Sequence, residues 1–162
     1  MDTVRTHFPG AFRKLSREEG PLLRDHLIRL GAASRNARFH GGMSDGAVAA
    51  YAMRAAAVGS VYVYVEGGKV RGSCELFIPA KGAAEAAVSV EEGWRRRGIG
   101  RKLLERALGD AAAVGTGHVE IVAAASNHAM RRLANSLGGS FAAAGADGRC
   151  LMPAAAAKSR AA

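Results

Sequence analysis

The sequence predicts a single mixed α/β domain, on three observations. Its 162 residues match the length of one domain and can bury one hydrophobic core without disulfides or a metal. Segments rich in β-branched and aromatic residues alternate with segments whose apolar residues recur at helical spacing. Helix-capping residues and glycine turns separate these segments. The predicted order is therefore β-α-α-β-β-β-α-β-α-β-β, which is a mixed α/β arrangement.

The first half of the chain is predicted to contain one strand, two helices and a hairpin. Ser16 and Glu19 have the spacing of a capping box that starts the first helix, and Gly59 ends the second. The polar connection between the two helices, residues 35–42, is expected to border the substrate. In order, we expect a strand over 11–15, a helix to about Leu30, that connection, a helix from about 45 to 58, and a hairpin of 60–66 and 70–77.

The second half alternates strands and helices and ends in another hairpin. In order, we expect a strand over 84–90, a helix over 98–114, a strand over 118–123, a helix from near Asn127, and a hairpin of 141–144 and 149–152. Residues 1–10 are predicted to be an N-terminal extension and 11–153 the domain. The Ala-rich segment 154–162 lacks an apolar face to bury and is expected to be disordered.

The composition indicates which kinds of partner the protein attracts and which kinds of site it lacks. The formal charge of +9 predicts attraction to an anionic partner. Cys74 and Cys150 stand alone and the histidines are not clustered, so the sequence indicates neither a disulfide framework nor a metal site. No window is apolar enough to span a membrane, and no signal peptide is evident. We therefore expect a cytoplasmic protein with no metal and no membrane partner.

The densest group of cations contains two glycines, in Arg95-Arg96-Arg97-Gly98-Ile99-Gly100, where a predicted strand turns into a helix. The start of a helix presents free backbone N–H groups and the positive end of the helix dipole. Gly98 and Gly100 let the backbone approach phosphate oxygens, and the arginines add charge-assisted hydrogen bonds. The segment therefore predicts a pyrophosphate site. It is neither a Walker A loop, because Ile99 and Gly100 replace the Lys and Ser or Thr, nor a Rossmann fingerprint, because Leu103 replaces the third glycine.

The same hexapeptide resembles motif A of the GNAT family of N-acetyltransferases, in which Gln or Arg precedes two residues, Gly, one residue, and Gly or Ala. Residues 84–94 look like the family's fourth strand and the loop before motif A, and residues 127–133, followed by Gly138, look like motif B. The resemblance covers about 13–152 and implies the GNAT fold, a mixed sheet of six to seven strands flanked by about four helices. Within the family, the chain is most similar to the catalytic domain of bacterial protein lysine acetyltransferases, through residues 22–26, Ser34-Arg35, Arg38-Phe39, Ala84-Glu85 and 130–134.

The resemblance implies acetyl-CoA as cosubstrate and assigns residues to it. Backbone groups of residues 88–90 are expected to bond the pantetheine arm, and Asn127 is the expected contact from motif B. The full set of expected cofactor-binding residues is Val88, Ser89, Val90, Arg95, Arg96, Arg97, Gly98, Ile99, Gly100, Arg101, Asn127 and Arg131.

Glu85 is the candidate general base. An amine must lose a proton to attack a thioester, and a carboxylate can accept that proton directly or through water. The resemblance places the family's catalytic glutamate at this position. The competing interpretation is that Glu85 lies at the solvent end of its strand and pairs with a surface cation. Many family members use a motif B tyrosine as general acid, and the aligned residue is Ala134, which leaves the acid unassigned.

Three functions remain open to test. The first is an N-acetyltransferase that moves acetyl directly from acetyl-CoA to a primary amine, on a protein lysine or a small metabolite. The second is a GNAT-fold module that binds acyl-CoA without turnover, which Ala134 favours and Glu85 disfavours. The third, a specific nucleic-acid-binding domain, is disfavoured because no recognition helix or base-stacking strand is evident. The oligomeric state, a homodimer included, stays open.

Overall fold

The computed structural model describes residues 7–154. Most of the expected extension at 1–10 and of the tail at 154–162 therefore lies outside the described residues. The strands are β1 Ala11–Lys14, β2 Ser60–Glu66, β3 Lys69–Phe77, β4 Ala84–Val90, β5 His118–Ala124, β6 Ser140–Ala144 and β7 Asp147–Pro153. The helices are α1 Gly20–Arg29, α2 Ala32–Phe39, α3 Asp45–Val58, α4 Ile99–Ala113 and α5 His128–Ser136.

The strands form one mixed sheet of seven, in the order β1-β2-β3-β4-β5-β7-β6. Every neighbouring pair is antiparallel except β4 and β5, which are parallel. The predicted fold class is confirmed, and each predicted strand and helix appears within a few residues of its expected bounds. Within residues 7–154, no helix combines the length and the apolar character needed to cross a membrane.

The predicted order of elements lacks one helix, because residues 35–39 of the predicted connection 35–42 belong to α2. This helix of eight residues contains no buried residue, so it lacks the apolar stripe by which sequence patterns reveal helices. The residue that caps its C-terminus, His40, adopts a left-handed conformation with φ of 54°. The capping box at Ser16 and Glu19 is present, but a 3-10 turn over Arg17–Glu19 precedes α1.

The sheet separates two hydrophobic clusters, because successive side chains of a strand point to opposite faces. In β2, Val61 and Val63 pack against α1 and α3, whereas Tyr62 and Tyr64 lie on the other face with α4. The largest buried side chains that the helices contribute are Leu23, Leu27 and Val48 on the first face, and Ile99, Leu103 and Leu104 on the second. Burial of such side chains stabilises the fold by roughly 1.5–3 kcal/mol each.

A chain of buried polar groups crosses the first face, and we call its members Ser73, Glu75, Ser89, His26 and Glu91 the polar row. Ser89 Oγ lies 3.1 Å from Ser73 Oγ and 2.9 Å from His26 Nε2. The row ends at Glu91, which accepts from His26 Nδ1 at 3.3 Å, Arg29 Nε at 2.9 Å and Arg71 Nη1 at 2.9 Å. Burial raises the pKa of Glu91, but the three hydrogen bonds outweigh it and lower that pKa to about 2.

The low pKa of Glu91 predicts that this carboxylate stabilises the fold above about pH 4.5 and that the stabilisation is lost as pH falls towards 2. We expect Glu91→Gln to lower the free energy of unfolding at neutral pH by about 3 kcal/mol and to flatten its decline below about pH 5. Urea unfolding between pH 2 and pH 7 measures both effects. Glu105→Gln, which breaks an exposed pair with Arg101, is the control and should change stability by less than about 1 kcal/mol. Equal acid dependence in Glu91→Gln and the parent would contradict the prediction.

Candidate active site

The parallel strands β4 and β5 separate soon after they begin. They pair only at Ala84 with Val119 and at Glu85 with Glu120, although β4 continues to Val90 and β5 to Ala124. Beyond these two pairs, the facing edges of both strands carry backbone groups with no partner in the sheet. A cleft of about 1130 Å³ occupies the opening.

The cleft passes through the sheet and is lined from both faces. Glu85, Ala87 and Ser89 point to the face that carries α1, as the bond from Ser89 to His26 indicates. Ala86 and Val88 alternate with them and point to the face that carries α4. The cleft therefore has one half under α2 and α3 and another half between α4 and α5.

The start of α4 lies at one end of the cleft. Gly98 caps the helix with φ of 81°, and Arg96 has φ of 60°, so two residues of the turn are left-handed. The first backbone hydrogen bond of the helix runs from Lys102 N to Gly98 O, at 3.0 Å. Within residues 7–154, the N–H groups of residues 96–101 donate to no other backbone group. We call these six N–H groups the amide cradle; they are the predicted anion-binding arrangement.

The arginine side chains of residues 96–101 differ in their ion-pair partners. Arg97 pairs with Glu66 at 3.8 Å, and Arg101 with Glu105 at 2.9 Å. Arg96 has no ion pair in the described part of the chain and lines the cleft. Gly100 faces β4, where a Cβ would lie in ordinary van der Waals contact, 3.6 Å from Val88 Cγ1 and from Val90 Cγ2.

Arg95 extends away from the cradle towards α2. Its Nη2 donates to Ser34 Oγ at 2.7 Å and its Nε to the carbonyl oxygen of Val90 at 3.0 Å. Glu92 accepts from Ser34 and lies 3.6 Å from Arg95. Arg95, a predicted phosphate ligand, thus connects α2 to the end of β4. Its Nε is bonded to the carbonyl oxygen of Val90, in the strand segment that is expected to bond pantetheine.

The predicted motif B residues separate in space. Asn127 lines the cleft, and its side chain caps α5 by accepting from Met130 N at 3.0 Å. Arg131 lies over the ring of Phe141, 4.6 Å from its centroid, and does not line the cleft, whereas Arg132 does. A step of one residue rotates a helix by about 100°, which places neighbouring arginines on different faces.

Glu85 is exposed and lines the cleft at the point where the strands part. Its register partners are Phe77 on β3 and Glu120 on β5. Glu120 accepts from Arg149 at 2.7 Å. The side chain of Glu85 makes no hydrogen bond or ion pair among residues 7–154, so it has none of the surface cation partners that the competing interpretation expected.

Arg38, Tyr51, Arg54 and Phe77 line the half of the cleft under α2 and α3, and Glu75 lies buried behind them. Arg38 belongs to the segment 35–42 that is expected to border the substrate, whereas the sequence patterns indicated no functional role for Tyr51, Arg54 or Phe77. Ala134, aligned with the family's tyrosine, is fully buried. In the described ranges, no group of three or more His, Cys, Asp or Glu side chains could hold a metal.

Comparison with known proteins agrees with this arrangement. The chain is similar to the GNAT domain of S. lividans PAT, with 17% identity over 89% of this chain and 90% of that chain and a TM-score of 0.76. It is similar to yncA of Salmonella typhimurium, a putative acetyltransferase solved with acetyl-CoA, with 19% identity over 96% and 98% and a TM-score of 0.66. It is also similar to the PaiA N-acetyltransferase of Thermoplasma acidophilum, solved with coenzyme A. The identity is 16% over 90% of this chain and 99% of that chain, and the TM-score is 0.68.

The structural likenesses establish the fold, and the sequence comparison supplies the family. No curated protein matches the chain. The model of the acetyltransferase (GNAT) family matches residues 29–138, which include α2, α3, the amide cradle and α5. This chain belongs to the GNAT acetyltransferase family.

Proposed function

We propose that the protein transfers an acetyl group directly from acetyl-CoA to a primary amine. The observation that carries the proposal is the cleft between β4 and β5, which connects the amide cradle on one side with Glu85 on the other. A pyrophosphate suits the cradle because six N–H groups and the positive end of α4 converge there. The similar structures solved with acetyl-CoA or coenzyme A support the choice of donor.

The donor would bind along the opening in the sheet. Its pyrophosphate would accept hydrogen bonds from the cradle, and its pantetheine arm would lie along the free edge of β4 at residues 88–90. Arg95 must then release the Val90 carbonyl, after which its guanidinium can turn to the phosphates. Asn127 and Arg132 border the same half of the cleft, and Arg132 is better placed for this role than Arg131.

The amine would enter from the face that carries α2 and α3, because Glu85 points to that side. The donor supplies an acetyl group in a thioester. As the nitrogen bonds to the acetyl carbon, the carbon–sulfur bond breaks and the thiolate leaves. Glu85 takes the proton that the nitrogen loses, directly or through water. Ala134 offers no acid to the thiolate, which takes its proton from solvent.

The proposal covers two classes of amine acceptor. A primary amine on a protein lysine or on a small metabolite would satisfy the chemistry at Glu85. The similarity to the S. lividans PAT domain does not decide between a protein lysine and a small metabolite, because 17% identity supports only the fold. The second candidate, an acyl-CoA-binding module without turnover, is favoured by Ala134, which leaves the cleft without the family's tyrosine.

We expect Gly100→Asp to abolish binding of coenzyme A, because the new carboxylate would lie in the cradle and repel phosphate. The backbone at Gly100 is helical, so the substitution adds no left-handed strain. Calorimetry with coenzyme A measures the loss. The control is Gly117→Asp, which adds the same charge beyond the opposite end of α4, where a Cβ meets nothing within 4 Å. Normal affinity in folded Gly100→Asp would exclude this site.

We expect Glu85→Gln to keep affinity for coenzyme A and to lower turnover by roughly 10²-fold or more near neutral pH, as removal of a general base does. Activity should recover in part as pH rises, because more of the amine is then neutral. Transfer of isotope-labelled acetyl to a panel of amines provides the measurement.

Glu120→Gln is the matched control, since Arg149 already holds that neighbouring carboxylate. We expect this variant to lose much less activity than Glu85→Gln. Parent rates for Glu85→Gln across pH 6 to 9 would remove Glu85 as the base. Binding of acetyl-CoA without transfer to any amine would favour the module without turnover.

A further inference from the structure

A buried ion pair stands behind the acceptor side of the cleft. Glu75 on β3 is fully buried, and its Oε2 accepts from Nη2 of Arg38 on α2 and from Tyr51 Oη at 3.1 Å. Ser73 donates to the other oxygen, Oε1. Both oxygens of Glu75 are therefore occupied by protein groups. Glu75 cannot itself meet a ligand, and its charge acts on Arg38.

Arg38 keeps unused donors. Its side chain is only 10% exposed, and Nη2 also bonds Tyr51 Oη at 2.5 Å. Its Nε is buried and has no partner, and its Nη1 makes no hydrogen bond within residues 7–154. A buried donor without a partner is costly and uncommon. Because Arg38 lines the cleft, its Nη1, which is not among the buried atoms, is the donor that a ligand oxygen could approach.

The surroundings of Arg38 fix its position and its charge. Its guanidinium lies 4.8 Å from the ring centroid of Phe39 and 5.0 Å from that of Tyr51. Burial lowers the pKa of Arg38, but the charge of Glu75 and the contact with Tyr51 outweigh burial and raise it. Since α2 contains no buried residue, this pair is also a principal attachment of α2 to the sheet.

The register relates Arg38 to Glu85. Phe77 is the partner of Glu85, and Glu75 lies two residues before Phe77 on the same face. Glu75 and Glu85 are thus diagonal neighbours, with Cα atoms roughly 7–8 Å apart. An acceptor with its nitrogen at Glu85 can extend a second group, several bonds away, to the guanidinium that Glu75 holds.

We propose that Arg38 binds an oxygen of the acceptor and that Glu75 is the positioning residue that presents it. The acceptor is then an amine that carries a carboxylate or carbonyl oxygen several bonds from its nitrogen, as a free amino acid or a peptide does. This inference rests on the proposed function, in that Glu85 marks where the nitrogen lies.

Three ligands that differ at one end test the proposal: 6-aminohexanoate, 6-aminohexanamide and n-hexylamine. Their binding to the protein saturated with coenzyme A is measured by calorimetry, which needs no turnover. We expect 6-aminohexanoate to bind roughly tenfold or more tightly than n-hexylamine, the scale of a hydrogen bond to a charged group. Tight binding of 6-aminohexanamide assigns the oxygen to a peptide-like carbonyl, and weak binding assigns it to a carboxylate. Both results support the proposal.

The variants separate recognition from folding. Arg38→Met should make the three ligands bind alike, and Glu75→Gln should weaken the preference because the guanidinium loses its anchor. If Arg38→Met unfolds around an unpaired Glu75, the double variant Arg38→Met/Glu75→Gln removes both charges and should show no preference. Asp110→Asn is the control, since this carboxylate accepts from Tyr62 on the other face of the sheet and does not line the cleft. It should keep the preference of the parent.

The proposal fails if the parent protein shows no preference for oxygen-bearing amines, or if Arg38→Met retains it. Failure of the proposed function is a different result, namely that coenzyme A does not bind or that no amine is acetylated. If coenzyme A does not bind, the same ligands are titrated into the free protein, and the same preference and its loss in Arg38→Met decide the role of Arg38.

Discussion

The separation of β4 from β5 is the constraint on which the rest of the structure depends. Two parallel strands that stayed paired would bury their edge groups in a continuous sheet. Here the pairing stops at Glu85 and Glu120, and each strand keeps its other neighbour, β3 or β7. The sheet therefore stays intact on both sides of an opening that passes through it. The free edge of β4 offers backbone donors and acceptors to a long, extended ligand.

The opening divides the chemistry between two faces. The face with α4 presents the positive end of a helix and a set of arginines, which suits an anion. The other face carries Glu85, whose carboxylate has no hydrogen-bond or ion-pair partner within residues 7–154, and Arg38, which Glu75 holds at the wall of the cleft. Because strand side chains alternate, one short strand serves both faces. Residues 85–90 place Glu85 on one side and Val88 on the other, about 10 Å apart along the strand.

The helix α2 connects the two halves through polar bonds, in addition to the packing of Phe39 against the first hydrophobic cluster. Arg38 ties it to the buried Glu75, while Ser34 ties it to Arg95 at the edge of the cradle. Arg95 cannot hold Ser34 and the Val90 carbonyl while also turning to a phosphate. A ligand that recruits Arg95 would thus release one attachment of α2 and leave the attachment at Glu75. Glu92, which accepts from Ser34 and from Gly31 N, would keep a second connection between α2 and the segment before the cradle.

The sequence by itself determined the features that depend on local rules. Alternating apolar residues marked the strands, the capping residues and Gly59 marked helix ends, and the glycines before α4 marked an anion-binding turn. The family motifs placed Glu85 in a strand next to that turn, and the structure puts both on one cleft. Only the tertiary structure decided the helix α2, the pair of Arg38 with Glu75, the direction of Arg95 and the outward position of Arg131. These features depend on partners far along the chain: Arg38 meets a residue 37 positions away and Arg95 one 61 positions away, and no local pattern encodes such a contact.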